Sequence, residues 1–397
     1  MSAPGAARRL RTALLTWDYP PAPSGLSTAA REIAQGLAEA GAAVTVFTLD
    51  RTGRDADGAV AVVGCGLAAG SGLARLRLRG AVGHLAAPLA FRRAVLAEHR
   101  RRPFDVVEAT NWYAPAILLT GRLPVVTRSS TPAALTLVPA TRVRDRLDGA
   151  AARALERRQA RGSAGLIANT GAHGRLIADL YGLAGRQPAA VIGLSLPPET
   201  LAAGRAAAYP APSGTVRLLF VGRSEARKGF DLLLDAAARL AADGLDFVLT
   251  LVGVGTDDLP PGLPEALRAS LDPLGRVDEA ARDAAYARAH AVVAPSRYES
   301  FGLVYQEALA YGRPVVALDE DASAREFVAE AGLLAPESTG AALAEVIRPL
   351  LSDVGLRLDL RARALARAGR FDRRGLGEAT LALYRRALDA RAAAQSR

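Results

Sequence analysis

Short apolar runs alternate along this chain with stretches in which apolar residues recur every three or four positions. The first apolar run, Arg11–Thr16, predicts a strand. A helix with one apolar face follows, ends at Gly41, and leads into a second strand at residues 44–49. Its apolar face carries Leu26, Ala30, Ile33 and Leu37. This order predicts a doubly wound α/β sheet, whose ligands bind beyond the carboxyl ends of the strands.

The same alternation continues to the end of the chain. It predicts further strands at residues 59–63, 104–108, 124–127, 165–169, 189–192, 216–221, 247–252, 271–274, 291–294, 315–318 and 332–334. A strongly basic helix is predicted over residues 143–161. A chain of 397 residues is too long for one ordinary core, so the repetition predicts two α/β domains. Residues 196–214 are rich in Pro, Ala and Gly, which predicts the linker between them.

Two carboxylates flank the start of a predicted helix in the stretch from Ala294 to Ala317. Glu299 lies in the loop before the helix, and Glu307 lies in its second turn. Unpaired amides at a helix N-terminus attract anions, so the backbone of Ser300, Phe301, Gly302 and Leu303 is a candidate phosphate site. Glu307 is placed to accept hydrogen bonds from paired sugar hydroxyls.

A second candidate loop follows the predicted strand at residues 216–221. It turns through Gly222 and Arg223 to Lys228 and Gly229 before an amphipathic helix. The chain contains 50 Lys and Arg residues, and Lys228 is the one lysine among them. Since arginine is otherwise the cation of this chain, a lysine here indicates a site that needs a compact point charge.

These two motifs, in this order and each at a strand-to-helix junction, resemble the donor-binding half of the retaining glycosyltransferases of family 4. The resemblance implies the GT-B fold, in which two Rossmann-like doubly wound domains face each other across a cleft. It also implies a nucleotide diphosphate sugar as donor and transfer with retention of anomeric configuration. Arg223 and Lys228 would neutralise the diphosphate, Glu307 would hold the ribose, and Glu299 would position the sugar. We count Arg223, Lys228 and Glu299 as catalytic candidates that need no metal ion or other cofactor.

The resemblance also sets domain boundaries and further donor contacts. We predict an acceptor-binding domain at residues 1–197, a linker at 198–213, a nucleotide-sugar domain at 214–374 and a final helix at 375–397 that returns to the first domain. Arg276 and Val277 would lie beside the nucleobase, and Gly222 beside the phosphates. Relatives often carry two glycines in the first loop, whereas here Gly25 stands alone as the donor-phosphate candidate.

The acceptor side is less well defined by sequence. Many relatives place a histidine after the strand at residues 124–127, but this chain has Arg128 there, which is a candidate for the donor sugar or an anionic acceptor. Aromatic and polar residues at strand ends suit a polyol. The acceptor candidates are Trp17, Asp18, Glu108, Asn111, Trp112, Arg128 and Ser129.

The formal charge of +10 is compatible with nucleic acid, a membrane surface or an anionic substrate. No nucleic-acid motif is present, so we expect no nucleic-acid partner. Arg75, Arg77 and Arg79 alternate with leucines, which indicates a basic sheet edge or a membrane-touching segment, with a solvated basic face as the favoured interpretation.

The cysteine count and the lengths of the apolar runs bear on metal sites, disulfides and cellular location. Cys65 is the only cysteine, which excludes an intramolecular disulfide and a cysteine-based metal cluster. There is no convincing signal peptide and no apolar run long enough to span a membrane. We therefore expect a cytoplasmic monomer or homodimer, with peripheral membrane contact left open.

The sequence favours transfer of a hexose-type sugar to a small-molecule acceptor, in bacterial natural-product or thiol biosynthesis. Three alternatives remain: a membrane-surface transferase with a lipid or polysaccharide acceptor, a nucleotide-sugar epimerase, and an inactive nucleotide-sugar-binding partner. A phosphorylase that uses pyridoxal phosphate needs a Schiff-base lysine, and the single lysine already lies in the phosphate loop.

Overall fold

A computed structural model describes residues 9–396 of this chain, apart from 23, 137–141, 184, 186, 212 and 371. The chain divides into two compact units. The first comprises Met1–Ser195 together with Asp372–Arg397, and the second comprises Leu196–Phe371. The first unit is therefore built from both ends of the chain.

Both units alternate strands with helices. The strands are β1 Arg11–Thr16, β2 Ala43–Thr48, β3 Thr52–Asp57, β4 Val60–Cys65, β5 Val106–Thr110, β6 Val125–Ser129, β7 Gly165–Ala168, β8 Ala189–Val191, β9 Val216–Val221, β10 Phe247–Val252, β11 Leu271–Gly275, β12 Ala291–Val293, β13 Val315–Leu318 and β14 Gly332–Ala335. The helices are α1 Gly25–Glu39, α2 Gly72–Arg77, α3 Ala86–Arg101, α4 Ala133–Thr136, α5 Val143–Gly162, α6 Gly171–Tyr181, α7 Pro198–Ala206, α8 Phe230–Ala242, α9 Glu265–Ser270, α10 Glu279–Arg288, α11 Leu303–Ala310, α12 Ala322–Phe327, α13 Gly340–Ser352, α14 Val354–Ala368 and α15 Arg373–Gln395.

The first unit is organised around an eight-stranded sheet in the order β3-β4-β2-β1-β5-β6-β7-β8. All neighbouring strands are parallel except β3, which pairs antiparallel with β4 at the edge. The central strands β5 and β6 are completely buried, as expected for parallel strands covered by helices on both faces. The strand order reverses at β1, so the loops after β1 and β5 leave this sheet side by side at its switch point.

The second unit has a six-stranded sheet in the order β11-β10-β9-β12-β13-β14, and all of its pairings are parallel. Its core packs Phe220, Leu249 and Val316 of the sheet against Leu233 and Ile347 of the helices. The order reverses between β9 and β12. The loops that follow these two strands therefore meet at the edge where ligands of doubly wound sheets bind.

The final helix α15 completes the first unit by packing on α1. Two glycines allow the close approach, because a Cβ on Gly377 would lie 1.9 Å from the carbonyl oxygen of Gly36. The Nε of Arg373 on α15 donates to the fully buried carboxylate of Glu32 at 2.8 Å. Ser195 donates to the same carboxylate at 2.8 Å, which ties the end of the first segment to α1.

Two segments contain helices that the sequence analysis did not predict. Residues 198–213, predicted as a linker, begin with helix α7, because Pro198 is well suited to the first position of a helix and an alanine-rich segment follows it. This helix packs on α11: a Cβ on Gly204 would lie 2.5 Å from the carbonyl oxygen of Ala310. The alternating arginines and leucines at residues 75–79 lie largely in helix α2 rather than on a sheet edge.

The structure also shows an element that the pattern did not predict, the edge strand β3. Its residues are mostly exposed and carry no apolar alternation, so periodicity gives no signal for it. None of the helices searched among the described residues combines the length and apolar character that crossing a membrane requires.

The buried ion pair of Glu32 with Arg373, which we call the Glu32 anchor, gives a stability prediction. Glu32→Gln should lower the free energy of unfolding of the first unit by about 3 kcal/mol, because Arg373 would be left beside a neutral partner. Both tryptophans, Trp17 and Trp112, belong to this unit, so urea unfolding followed by tryptophan fluorescence reports on it selectively.

The matched control is Glu378→Gln, which removes an exposed ion pair with Arg374 on the same helix. It should change the unfolding free energy by less than about 1 kcal/mol. Equal effects of the two variants would contradict a special role for the buried anchor.

Candidate active site

The loop after β9 lies directly against the loop after β12. After Val221 the chain turns through Gly222 and forms a short 3₁₀ helix, Ala226–Lys228, before α8. Gly229 has a left-handed backbone, with φ +67°, and a Cβ there would lie 1.9 Å from the carbonyl oxygen of Pro295. Only glycine permits this contact, which brings Lys228 to the neighbouring loop.

Lys228 and Glu299, predicted from separate motifs, form an ion pair in this structure. The Nζ of Lys228 lies 2.5 Å from Oε1 of Glu299. Ser296 donates to the same oxygen at 2.9 Å. Burial favours the neutral carboxyl, but the charges of Lys228 and Arg227 outweigh it and hold the pKa of Glu299 below its ordinary value. The site therefore holds an ionised carboxylate between two cations.

The second cation of this site, Arg227, was not among the predicted residues. Its Nη1 lies 3.5 Å from Oε1 of Glu299. The predicted Arg223 instead has a side chain that is 69% exposed and pairs with Glu225 at 2.8 Å. The sequence signal for Arg227 was its position next to Lys228, but in an arginine-rich chain that signal is weak.

A buried aspartate that the sequence did not indicate fixes the Glu299 loop. Asp321 caps α12, and its Oδ1 accepts from the backbone amides of Glu299 at 3.2 Å and Ser323 at 3.1 Å. Its Oδ2 accepts from the hydroxyl of Tyr305 at 2.7 Å. Burial, together with the nearby charge of Glu299, raises the pKa of Asp321 to about 6, although the hydrogen bonds that it accepts oppose this shift.

The predicted anion-binding backbone lies at the start of α11. Gly302 is the N-cap of this helix with φ +79°, and a Cβ there would lie 2.3 Å from the ring of Tyr305. Phe301 is buried and its ring packs on that of Phe327, with centroids 4.8 Å apart. Ser300, Phe301, Gly302 and Leu303 thus form one rigid turn that follows Glu299 directly.

Glu307 lies one turn further along α11 and is largely buried. Its Oε2 accepts from the hydroxyl of Tyr286 at 2.7 Å, and its Oε1 lies 3.8 Å from Arg282. Burial raises the pKa of Glu307, while the charges of Arg282 and Lys228 partly offset this effect. Tyr286 and Arg282 are further neighbours that sequence alone did not indicate.

The predicted nucleobase neighbours follow β11 at the same edge of the sheet. The amide of Gly253, after β10, donates to the carbonyl of Gly275 at 2.7 Å, which joins the two loops. Arg276 is exposed and Val277 is half-buried just beyond this link. The second unit thus has every donor-side candidate except Gly25 at the carboxyl ends of its strands.

In the first unit, three aromatic side chains gather where β1 and β5 end. The rings of Trp17 and Trp112 lie 5.9 Å apart, and Trp112 lies 5.2 Å from Tyr113. Asp18 is next to this cluster in sequence and accepts from Ser24 at 2.6 Å, while burial raises its pKa. Ser24 caps α1, so the predicted Gly25 is the exposed first residue of that helix.

Two acceptor candidates, Arg128 and Glu108, form an ion pair inside the first unit. The guanidinium of Arg128 is buried, and its Nε donates to Glu108 at 2.7 Å. Its two terminal nitrogens donate to the backbone carbonyl of Ile192 and to the hydroxyl of Thr380. The hydroxyl of Tyr384 donates to the other oxygen of Glu108. The sequence interpretation missed this because the two partners on α15 lie more than 250 positions along the chain.

The last two acceptor candidates, Asn111 and Ser129, also form hydrogen bonds within the first unit. Asn111 is buried, accepts from the amide of Ser130 at 2.7 Å and donates to Tyr181 at 3.3 Å. The carbonyl of Ser129 contacts Nε2 of His173 at 3.1 Å. His173 thus lies beside the position where a histidine was expected, and burial lowers its pKa to about 4, so it is a neutral imidazole near pH 7.

Two family models match successive parts of the chain. The Glycosyl transferase 4-like domain matches residues 24–195, and Glycosyl transferases group 1 matches residues 215–353. This chain belongs to the family 4 glycosyltransferases. The predicted family is therefore confirmed, and it agrees with the two strand-to-helix motifs from which it was inferred.

Similar proteins include enzymes of inositol metabolism. The chain is 36% identical over 260 residues to a D-inositol 3-phosphate glycosyltransferase of Kineococcus radiotolerans, over 57% of this chain and 58% of that one. It is 38% identical over 167 residues to a phosphatidyl-myo-inositol mannosyltransferase of Mycolicibacterium smegmatis, over 41% and 43%. The matched part therefore spans about half the length of these curated relatives.

Solved structures confirm the predicted GT-B fold class of this glycosyltransferase. Sucrose-phosphate synthase from Thermosynechococcus elongatus aligns with a TM-score of 0.74 and 21% identity, covering 96% of this chain and all of that one. An α,α-trehalose 6-phosphate synthase from Burkholderia multivorans aligns with a TM-score of 0.69 and 16% identity, covering 98% and 99%.

The environment of Asp321 in this glycosyltransferase predicts a pH-dependent stability. Its pKa is about 6 when folded, against an ordinary value of 3.8, so the folded state binds the proton more tightly. The contribution of Asp321 is therefore greatest below pH 4 and is lost as pH rises to about 6. Relative to Asp321→Asn, the wild type should lose about 2 to 3 kcal/mol of unfolding free energy between these limits.

Chemical unfolding followed by circular dichroism at several pH values between these limits measures the difference. Asp319→Asn is the control, because it removes a half-exposed carboxylate at the end of the neighbouring strand and leaves Asp321 in place. A difference between wild type and Asp321→Asn that stays constant with pH would show that Asp321 does not titrate there.

Proposed function

We propose that this glycosyltransferase moves a hexose-type sugar from a nucleotide diphosphate sugar to a hydroxyl of a small phosphorylated polyol, with retention of configuration. The observation that carries the proposal is the cluster of Lys228, Arg227 and Glu299 beside the first turn of α11. It combines two cations with helix amides, as the leaving diphosphate requires.

The donor is placed by this cluster and by Glu307. The ammonium of Lys228 has N–H donors besides the one that contacts Glu299, and these bind the β-phosphate. The exposed Arg223 reaches the same phosphate from the end of β9. The ribose hydroxyls donate to Glu307, whose carboxylate is already oriented by Tyr286. The nucleobase lies beside Arg276 and Val277.

In the proposed reaction, the bond between the anomeric carbon and the β-phosphate oxygen breaks. The acceptor oxygen forms its bond on the same face of the sugar and passes its proton to the leaving phosphate. Glu299 orients the sugar and is not the nucleophile. The cations and the amides at residues 300–303 supply the charge stabilisation, so the proposal assigns no step to a metal ion.

The acceptor class rests on two kinds of support. Both curated relatives described above act, by their names, on inositol carrying a phosphate or phosphatidyl group. In the first unit, Trp17, Trp112 and Tyr113 offer apolar ring faces, and Asp18 offers a carboxylate, which suit the faces and hydroxyls of a polyol. We place the reaction in the cytoplasm, where nucleotide sugars are available.

The proposal predicts metal-independent binding of one nucleotide diphosphate. Among UDP, GDP, ADP and dTDP, one at 100 times its Kd should stabilise the protein by about 2.7 kcal/mol in a thermal-shift assay, with or without Mg²⁺. Lys228→Ala should abolish the shift. Because Lys228 is the only lysine, the same nucleotide should also protect the single acylated side chain in peptide mass spectrometry.

Arg239→Ala is the control for this experiment, since Arg239 lies on the exposed face of α8 and pairs with Asp235. It should keep the full thermal shift. Stabilisation by none of the nucleotides, or an undiminished shift in Lys228→Ala, would argue against the donor site.

Lys228→Ala should also lower kcat by about 10²- to 10³-fold, because one charge-stabilising donor is lost from the transition state. Transfer is measured with the binding nucleotide's sugar and D-inositol 3-phosphate, and product configuration is read by proton NMR. Turnover of the donor without an acceptor would favour an epimerase, and binding without turnover would favour an inactive partner. Near-normal turnover in the variant would refute the role of Lys228.

A further inference from the structure

A group of unusually exposed aliphatic side chains lies in one region of the first unit. Leu78 follows helix α2 and is 79% exposed, and Val82 lies in the 3₁₀ helix Gly80–Leu85 and is 57% exposed. Val143 and Leu147 are 72% and 61% exposed and lie one turn apart at the start of α5. Single exposed aliphatic side chains are common on proteins, but several of them gathered in one region indicate a contact surface.

The two segments that carry these side chains touch each other. Arg79, Gly80 and Ala81 line one concave pocket of about 370 Å³ together with Arg144, Leu147 and Asp148. The ring of His84 also contacts the backbone carbonyl of Asp148 at 3.2 Å. The four aliphatic side chains therefore belong to one surface, which we call the Leu78–Leu147 surface.

Arginines are interspersed with these aliphatic side chains along both segments. Residues 72–82 contain three arginines and no acidic residue, and residues 142–148 contain three arginines and two aspartates. The arginines are Arg75, Arg77, Arg79, Arg142, Arg144 and Arg146. Helix α2 buries none of its residues completely, so this basic and apolar segment has little role in the core.

We propose that the Leu78–Leu147 surface docks this chain on an anionic phospholipid membrane. The aliphatic side chains enter the headgroup region, and the neighbouring arginines bind lipid phosphates. Aliphatic tips among cations are the arrangement by which peripheral proteins lie on such membranes.

Charge distinguishes this occupant from a second copy of the chain. Two copies meeting through this surface would bring twelve arginines together with only four aspartates, and this excess of like charge opposes association. A lipid surface instead supplies the opposite charge over the whole area. Leucine and valine also offer no ring on which a nucleobase could stack, which disfavours a nucleic acid.

The surface lies beside the aromatic cluster at the ends of β1 and β5. The 3₁₀ helix that carries Val82 also carries His84, whose ring lies 5.1 Å from that of Tyr113. A membrane on this surface would therefore hold lipid headgroups next to this cluster. The docking does not depend on the glycosyl transfer proposed above, because it is measured without donor or acceptor.

The test is sedimentation of the full chain with vesicles of mixed phosphatidylglycerol and phosphatidylcholine, and with phosphatidylcholine alone, at about 0.15 M salt. We expect binding to the mixed vesicles only. Arg79→Gln with Arg144→Gln should weaken it roughly 25-fold, from about fivefold per arginine. Leu78→Ser with Leu147→Ser should weaken it roughly tenfold, because apolar area no longer enters the interface.

Matched variants elsewhere control for charge and apolar area. Val191→Ser with Leu358→Ser changes two other exposed aliphatic side chains, and Arg385→Gln with Arg288→Gln changes two other exposed arginines. Both should bind vesicles like the wild type. The tryptophan-fluorescence unfolding curve of each variant confirms that the first unit remains folded.

Four results would overturn the proposal. The first is that the chain does not bind the mixed vesicles. The second is that the control variants lose as much vesicle binding as the variants of the surface. The third is that the serine variants bind like the wild type, which would show non-specific charge attraction. The fourth is a different occupant: self-association in light scattering, or oligonucleotide binding, that is stronger than vesicle binding and is abolished by the same arginine variants.

Discussion

The donor side of this glycosyltransferase depends on one backbone contact, the approach of Gly229 to the carbonyl of Pro295. Because β9 and β12 are neighbours at the switch point, their following loops leave the sheet together, but only a residue without Cβ lets them touch. This contact sets Lys228 at 2.5 Å from Glu299 and brings Arg227 to the same carboxylate. The charge arrangement is therefore built by backbone packing before any ligand arrives.

The buried carboxyl groups of this site are held in place by protein neighbours. Two cations keep Glu299 ionised. Glu307 and Asp321, whose pKa values burial raises, are oriented by hydrogen bonds from tyrosines and backbone amides. A buried charge that loses one such partner is strongly destabilised. The site is thus ordered by the same hydrogen bonds that fix its charge, and a bound anion would meet groups already in position.

Much of the fold could be predicted from sequence because each strand or helix has a pattern of apolar residues within its own segment. Buried parallel strands are continuous apolar runs, as in residues 216–221, and the helices between them show a single apolar face. The edge strand β3 and helix α7 were missed for different reasons. Strand β3 lacks apolar periodicity, and the prolines around α7 were interpreted as helix breakers.

Site residues could be predicted only where they lie within one recognisable sequence motif. Lys228, Glu299 and Glu307 each lie in a recognisable strand-to-helix junction. Asp321 and Tyr286 act through contacts between distant segments, as when the hydroxyl of Tyr286 donates to Glu307. The partners of Arg128 could not be predicted, because Thr380 on α15 gives no signal near residue 128.

The contribution of α15 has a consequence for synthesis on the ribosome. Glu32, Arg128 and Glu108 are buried early-chain groups whose partners, Arg373, Thr380 and Tyr384, are translated only after the whole second unit. The second unit is contiguous and can finish folding as soon as it emerges, whereas the first unit, although it is made first, waits for the final helix. During translation its unpaired buried groups keep it incomplete, so a nascent chain truncated before residue 373 carries one finished unit and one unfinished one.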